Sequence, residues 1–189
     1  MKKAISLLIL AASLFAFLNN ALTQTREHFN QKYNFTIVEP EGWKILNEGE
    51  FTLEDMATSL PGEVVLALVK NDESQPRFMI IVGIIPNPGN KITPETYVST
   101  GKLTPLPTQK REPRLITLKD GRRVTLEFVQ NAFVKKSIIY PPQYNFWGSQ
   151  KIYFIQAIPM VDNMREEGSL LFKYAEVIGQ VVNGFKVNP

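Results

Sequence analysis

The sequence predicts an α+β fold, with helices packed on a largely antiparallel sheet. Three observations predict it. Six or so stretches of branched and aromatic residues follow one another at hairpin spacing, and Asp120-Gly121 is a strong hairpin turn. The best helical pattern, Leu170 to Phe185, comes last.

The first element is a leader. Lys2 and Lys3 precede an apolar run, Ala4 to Leu18, interrupted only by Ser6 and Ser13. Asn19 and Asn20 break the run, and Ala21-Leu22-Thr23 places small residues where a signal peptidase reads. The run is shorter than the roughly 20 residues a helix needs to cross a bilayer. The alternatives are an uncleaved anchor or a buried helix of the fold, and the lack of a polar face speaks against the latter. Residues 1–23 are therefore expected to be a cleaved signal peptide, and the mature protein to be periplasmic or secreted with no stable membrane anchor. The chain has no cysteine, so neither a lipid-modified cysteine nor a disulfide contributes. Without Lys2 and Lys3 the chain carries 19 Lys and Arg against 18 Asp and Glu, a balance that does not suggest a nucleic-acid partner.

Residues 24–32 are polar and expected to be a flexible lead-in, and 33–189 to form one domain. Tyr33, Phe35 and Ile37 alternate with polar neighbours as in a strand. Pro40-Glu41-Gly42 turns the chain into Trp43, which is expected to be buried. Phe51 to Leu60 suggests a short helix or irregular segment. Val64–Val69 and Phe78–Ile85 are runs of branched residues, as in strands covered on both faces. Thr93-Pro94-Glu95 opens a helix with a capping Thr, a first-turn Pro and an acid, and Gly101 ends it. Leu103 to Pro113, with three prolines, reads as a surface connection. Around Asp120-Gly121, Leu126 and Phe128 share one face of a hairpin. Lys151–Ile158 is a strand with Ile152, Phe154 and Gln156 on one side and Tyr153, Ile155 and Ala157 on the other. The last helix places Leu170, Leu171, Tyr174, Val177, Ile178, Val181, Val182 and Phe185 on one face. Gly184 is placed to end it, and Gly179 within it marks close packing or a tolerated defect.

Reactive groups are few. His28 is the only histidine, and its polar surroundings offer no rigid acid for a catalytic relay, so it is expected to be exposed and without a role. One histidine and no cysteine exclude a zinc site of the usual ligands within one chain. Glu39 and Glu41, neighbours on one turn, lack the opposed placement that glycosidase acids need. Glu166-Glu167 reads as a solvated helix entry. No glycine pattern cradles phosphate. No catalytic residue and no cofactor are expected. Two features remain open. Lys110, Arg111, Arg114, Lys119, Arg122 and Arg123 form either a positive rim or a solvated sheet edge. The segment 131–150 is either a long exposed loop or a continuation of the sheet, and it holds the candidate interface residues Tyr140, Tyr144, Phe146 and Trp147, with Lys135 and Lys136 at the rim.

Tyr33-Asn34-Phe35-Thr36-Ile37 leading into Pro40-Glu41-Gly42-Trp43-Lys44 resembles the opening of PsbP-like domains. The Asp120-Gly121 hairpin, the strand at 151–158 and the closing Val182-Asn183-Gly184-Phe185 fit the same plan. The resemblance implies an α/β/α sandwich around a central antiparallel sheet with a long C-terminal helix. It also implies an exported, non-enzymatic module that binds a protein partner or an envelope assembly. Metal binding within the photosynthetic branch of that family finds no matching ligands here. The alternative is a small-molecule carrier or hydrolase with a pocket between the sheet and the C-terminal helix.

The leader has a direct check. Expressed in a bacterial host, the exported protein is expected to be shortened by about 21 to 23 residues. Mass spectrometry of that form measures it, and an intact Met1 would contradict cleavage.

Overall fold

The computed structural model describes residues 25–51, 60–73, 76–103, 112–129, 141–161 and 163–188. The leader at 1–23 and all but the ends of the segment Phe51 to Leu60, expected as a short helix or irregular, lie outside the described residues. Most of the proline-rich connection at 103–113 also does, although Leu103 at its start is buried.

The central sheet has seven strands, each antiparallel to its neighbours. In chain order they are β3 (Trp43–Asn47), β4 (Glu63–Lys70), β5 (Phe78–Pro86), β6 (Arg114–Thr117), β7 (Arg123–Phe128), β8 (Pro142–Gly148) and β9 (Lys151–Pro159). Across the sheet the order is β3-β4-β5-β9-β8-β7-β6. A smaller sheet joins β1 (Arg26–Asn30), β2 (Phe35–Glu39) and β10 (Lys186–Val187) in the order β1-β2-β10. Helix α1 (Pro94–Thr100) covers one face of the central sheet, and α2 (Met164–Lys173) with α3 (Ala175–Gly184) covers the other. The expected layers are present: helix, antiparallel sheet, helix. Among the described residues no helix is long and apolar enough to cross a bilayer.

The middle of the sheet is buried on both sides. Strands β5 and β9 pair from Phe78↔Pro159 to Pro86↔Lys151. Even-numbered residues of β5, from Phe78 to Ile84, face α2 and α3, whereas Met79, Ile81 and Ile85 face Tyr97 of α1. Both neighbours must then be helices or loops with apolar faces, because every residue of the pair except Pro86 and Lys151 at its end is buried. Helix α1 starts as its sequence dictates: the Thr93 hydroxyl accepts from Thr96 N–H at 3.2 Å, the Thr96 hydroxyl takes the Thr93 N–H at 2.8 Å, and Gly101 closes it at φ 66.

Trp43 is 3% exposed. Gly42, at φ 75, makes the turn that delivers it, and its ring meets Phe78 at 6.2 Å and Tyr174 at 5.3 Å, both edge to face. A second aromatic group centres on Phe185, whose ring lies 4.7 Å from Phe146 and 5.2 Å from Phe35.

Two elements, β1 and the closing helix, differ from the sequence expectation. Arg26–Asn30, expected as a flexible lead-in, is a strand. Its backbone pairs with β2 from Arg26↔Glu39 to Asn30↔Phe35, so main-chain hydrogen bonds order a segment with little to bury. The closing helix begins earlier, capped by Asn163 accepting from Glu166 N–H at 2.9 Å. Glu166 does pair with Arg77 at this entry, but Glu167 is fully buried rather than solvated. The helix is also divided at Tyr174, whose backbone leaves helical values (φ −102, ψ 12) where its ring joins Trp43 and Phe78. Gly184 ends the helix as expected, as its last helical residue. A Cβ there would lie 2.2 Å from Val38, so glycine lets α3 approach β2. Ile178, Val181 and Val182 do form the buried face of α3.

Two glycines give opposite predictions. A Cβ at Gly179 meets nothing within 4 Å, so Gly179→Ala is expected to stabilise the protein by up to about 1 kcal/mol. A Cβ at Gly83 would lie 2.1 Å from the Phe154 ring, so Gly83→Ala is expected to cost about 1–3 kcal/mol. Thermal melts of the two variants check the pair; the same sign in both would contradict this packing.

Candidate interface at the open end of the sheet

The aromatic segment enters the sheet. Residues 130–140, with Lys135, Lys136 and Tyr140, lie outside the described residues, but Pro142–Gly148 is strand β8, between β7 and β9. Strand alternation therefore divides the candidate residues. Tyr144 and Phe146 point to the α2–α3 face, and Trp147 points to the α1 face. Phe146 is 3% exposed and packed on Phe185, so it is a core residue and not an exposed anchor. Trp147 is half-buried, and its indole N–H donates to the Ile92 carbonyl at 3.0 Å. Tyr144 is half-buried, and burial pushes its phenol above the ordinary range. The three do not form one surface.

An apolar surface does lie beside Tyr144. On the helix face, burial falls along β7 from Val124, through half-buried Leu126, to Phe128, which is 59% exposed. Register sets Leu126 opposite Tyr144 and Phe128 opposite half-buried Pro142. Ile116 of β6, opposite Val124, is also half-buried. Helix α3 ends at Gly184 and Phe185 closes over Phe146 and Tyr153, so the last strands of the sheet emerge from beneath the helical layer. The sequence placed Leu126 and Phe128 on a common face correctly. That face is the more open one.

The closed face of β7 and β8 is polar. Thr125, Glu127, Gln143 and Asn145 are each at most 1% exposed. Glu127 Oε1 accepts from Gln143 Nε2 at 2.8 Å and Asn145 Nδ2 at 3.0 Å; Asn145 Nδ2 also reaches Thr125 Oγ1 at 3.1 Å. Gln143 Nε2 further donates to Asn145 Oδ1 at 2.8 Å. Polar residues alternating with apolar ones read as a solvated side, which is why this network was not legible. The available signal was the matching two-residue spacing of Thr125/Glu127 and Gln143/Asn145 on strands that pair.

The basic residues of the hairpin separate into two sets. Arg122 works inside the fold: its Nη2 donates to the Asn183 carbonyl at 2.8 Å, its Nη1 to the Phe185 carbonyl, and its Nε to Asp120 at 2.5 Å. It satisfies carbonyls at the C-terminal end of α3, where a cation is favourable. The backbone N–H of Arg122, 3.1 Å from Asp120 Oδ1, helps hold that carboxyl below its ordinary range. Arg123 pairs with Glu95 at 3.2 Å. Arg114, opposite Leu126, is exposed and edges the apolar surface with positive charge, whereas exposed Lys119 lies in the hairpin turn. Lys110 and Arg111 lie outside the described residues.

The space expected to hold a pocket, between the sheet and the C-terminal helices, contains the Trp43, Phe78 and Tyr174 rings, packed against one another. Among the described residues no three His, Cys, Asp or Glu side chains gather to hold a metal ion. No family model matches the chain, and no curated protein matches it. Solved structures similar over most of its length include two of low identity. One is the solution structure of cyanobacterial PsbP (CyanoP) from Synechocystis sp. PCC 6803, with a TM-score of 0.47 and 12% identity, covering 89% of this chain and 95% of that one. The other is the Saccharomyces cerevisiae Ran-binding protein Mog1p, with a TM-score of 0.45 and 17% identity, covering 87% and 96%.

Phe146 and Phe128, on one face but at opposite ends of its burial gradient, are expected to respond differently to truncation. Phe146→Ala is expected to cost about 3–5 kcal/mol, and Phe128→Ser no more than about 0.5 kcal/mol. Denaturant titration measures both, and comparable losses would contradict the assignment of Phe128 to the surface.

Proposed function

We propose that this chain is an exported, non-enzymatic binding module of the PsbP-like kind, which docks a protein partner on the open end of its sheet. The observation that carries the reading is Phe128, 59% exposed between half-buried Leu126 and Pro142, with Tyr144 beside them. An aromatic held by a strand loses little freedom on binding, and half-buried neighbours already exclude part of the water. Arg114 at the edge matches a partner whose apolar surface is rimmed with acids. The leader supports export. The Pro40-to-Trp43 sequence, with its tryptophan packed under the helical layer, supports the PsbP-like reading. The packed rings between the sheet and α2–α3 weigh against the carrier or hydrolase alternative.

Photo-crosslinking tests the surface. A photoreactive residue at position 128 is expected to capture an envelope protein through an adduct that unlabelled wild-type chain competes away. Competition by chain carrying Phe128→Ser and Arg114→Glu is expected to be about tenfold weaker or worse. The control position is Phe172, which is 87% exposed on α2, far from this surface in the chain. Equal capture from position 172, or equal competition by the variant, would overturn the assignment.

A further inference from the structure

The open end of the sheet has an edge as well as a face. Strand β6 comes last in the sheet order, and among the described residues no strand pairs with its outer side. The hairpin fixes which backbone groups point there. Leu118 N–H donates to the Arg122 carbonyl at 2.8 Å, so Leu118 turns its backbone groups toward β7. Backbone groups alternate in direction along a strand, and the register runs unbroken from Thr117↔Arg123 to Arg114↔Leu126. Ile116 and Arg114 therefore also turn theirs toward β7. Leu115 and Thr117 each present an N–H and a C=O to the outer edge. Pro113, which has no N–H, ends that row.

A row of outward N–H and C=O groups is a template for another strand, and the side chains beside it select which strand fits. Register places Arg114 opposite Leu126, and half-buried Ile116 shares the same strand face two residues on. Both belong to the face that carries Phe128. On the other face Arg123 is held by Glu95 of α1. An added strand thus meets an apolar side chain and an exposed cation, both on the face open to the partner. Like charges directly opposite one another are destabilising, so Arg114 turns away a basic strand and favours an acidic one.

Resting on the docking reading above, we propose that the partner docks by adding an antiparallel strand to β6. The segment it contributes is extended, with an apolar residue opposite Ile116 and an acid two residues later, opposite Arg114. Antiparallel pairing continues the pattern of the whole sheet. A second copy of this strand does not supply the match, because Arg114–Thr117 contains no acid. The edge is continuous with Leu126 and Phe128 across one strand pair, so a single segment reaches both.

The test titrates ¹⁵N-labelled protein with an acetylated and amidated heptapeptide, Ser-Thr-Val-Thr-Glu-Thr-Ser, followed by NMR. Saturable shifts are expected at the backbone of residues 114–118, with hydrogen exchange slowed at the Leu115 and Thr117 amides. The same peptide with Lys in place of Glu is expected to bind about tenfold more weakly, and Arg114→Glu to reverse that preference. Thr117→Pro removes an outward N–H and no bond to β7. It is expected to weaken peptide binding about tenfold or more while moving the melting temperature by less than about 3 °C. Ile116→Pro removes a bond to β7 and is expected to lower the melting temperature by about 6 °C or more. Competition for the photo-adduct at position 128 separates strand addition from docking itself. Thr117→Pro chain is expected to compete about tenfold more weakly than wild type; equal competition would keep the surface and overturn strand addition. Absence of any adduct would instead overturn the docking reading, and peptide binding would still establish the edge as a strand acceptor. A concentration-dependent dimer abolished by Thr117→Pro would give the edge to a second copy and overturn the proposal. So would the absence of shifts with the heptapeptide, or binding that survives Thr117→Pro and ignores the charge reversal.

Discussion

The pairing of β5 with β9 is the constraint on which the other elements depend. Nine consecutive residue pairs run through the middle of the sheet, and both faces of this pair are withdrawn from water. At roughly 25 cal/mol per Å² of apolar surface, a pair like this is stable only if each face finds an apolar cover. One cover is α1, through Tyr97; the other is α2 and α3, through Leu170, Tyr174, Ile178, Val181 and Val182. The glycine at 83 belongs to the same constraint, since Phe154 of β9 occupies the space a side chain there would need.

Coverage runs out toward β6. Helix α3 is short, and its end is fixed in place by two contacts. Gly184 admits Val38 of β2, and Arg122 of the β6–β7 hairpin donates to the carbonyls of Asn183 and Phe185. Such charge-assisted hydrogen bonds give a helix end a definite stopping place, so the boundary of the helical layer is sharp. Beyond it the same strand face carries Leu126, Phe128 and Tyr144, and its apolar character becomes a surface property. A patch of this kind on a strand is rigid, which favours docking.

Period-two and period-3.6 patterns made much of this legible. Val64–Val69, Phe78–Ile85 and Lys151–Ile158 show their strands through unbroken branched residues, and α1 shows itself through Thr93, Pro94 and Gly101. The strand β1 was not legible because Arg26, Glu27 and Asn30 carry no apolar rhythm; its order comes from backbone pairing with β2, which leaves no mark in side-chain type. The interface was half legible. The density of aromatics between 131 and 150 drew attention to the right strand, but local composition does not reveal that Phe146 lies under Phe185, a residue 39 positions later. The alternation placed Phe128 on one face with Leu126 but did not show that this face is the open one, because Thr125 and Glu127 on the other face are polar yet buried.

Hydroxyl-radical footprinting of the folded chain, read residue by residue, tests most directly the claim that the helical layer closes over Phe146 and stops before Phe128. The account predicts rapid modification of Phe128 and protection of Phe146, Phe154 and Trp43, in line with exposures of 59% for the first and 3% or less for the others. Modification of Phe146 at a rate comparable to Phe128 would contradict it, because the sheet would then be open along its whole β8 strand and the surface assigned to the partner would have no boundary.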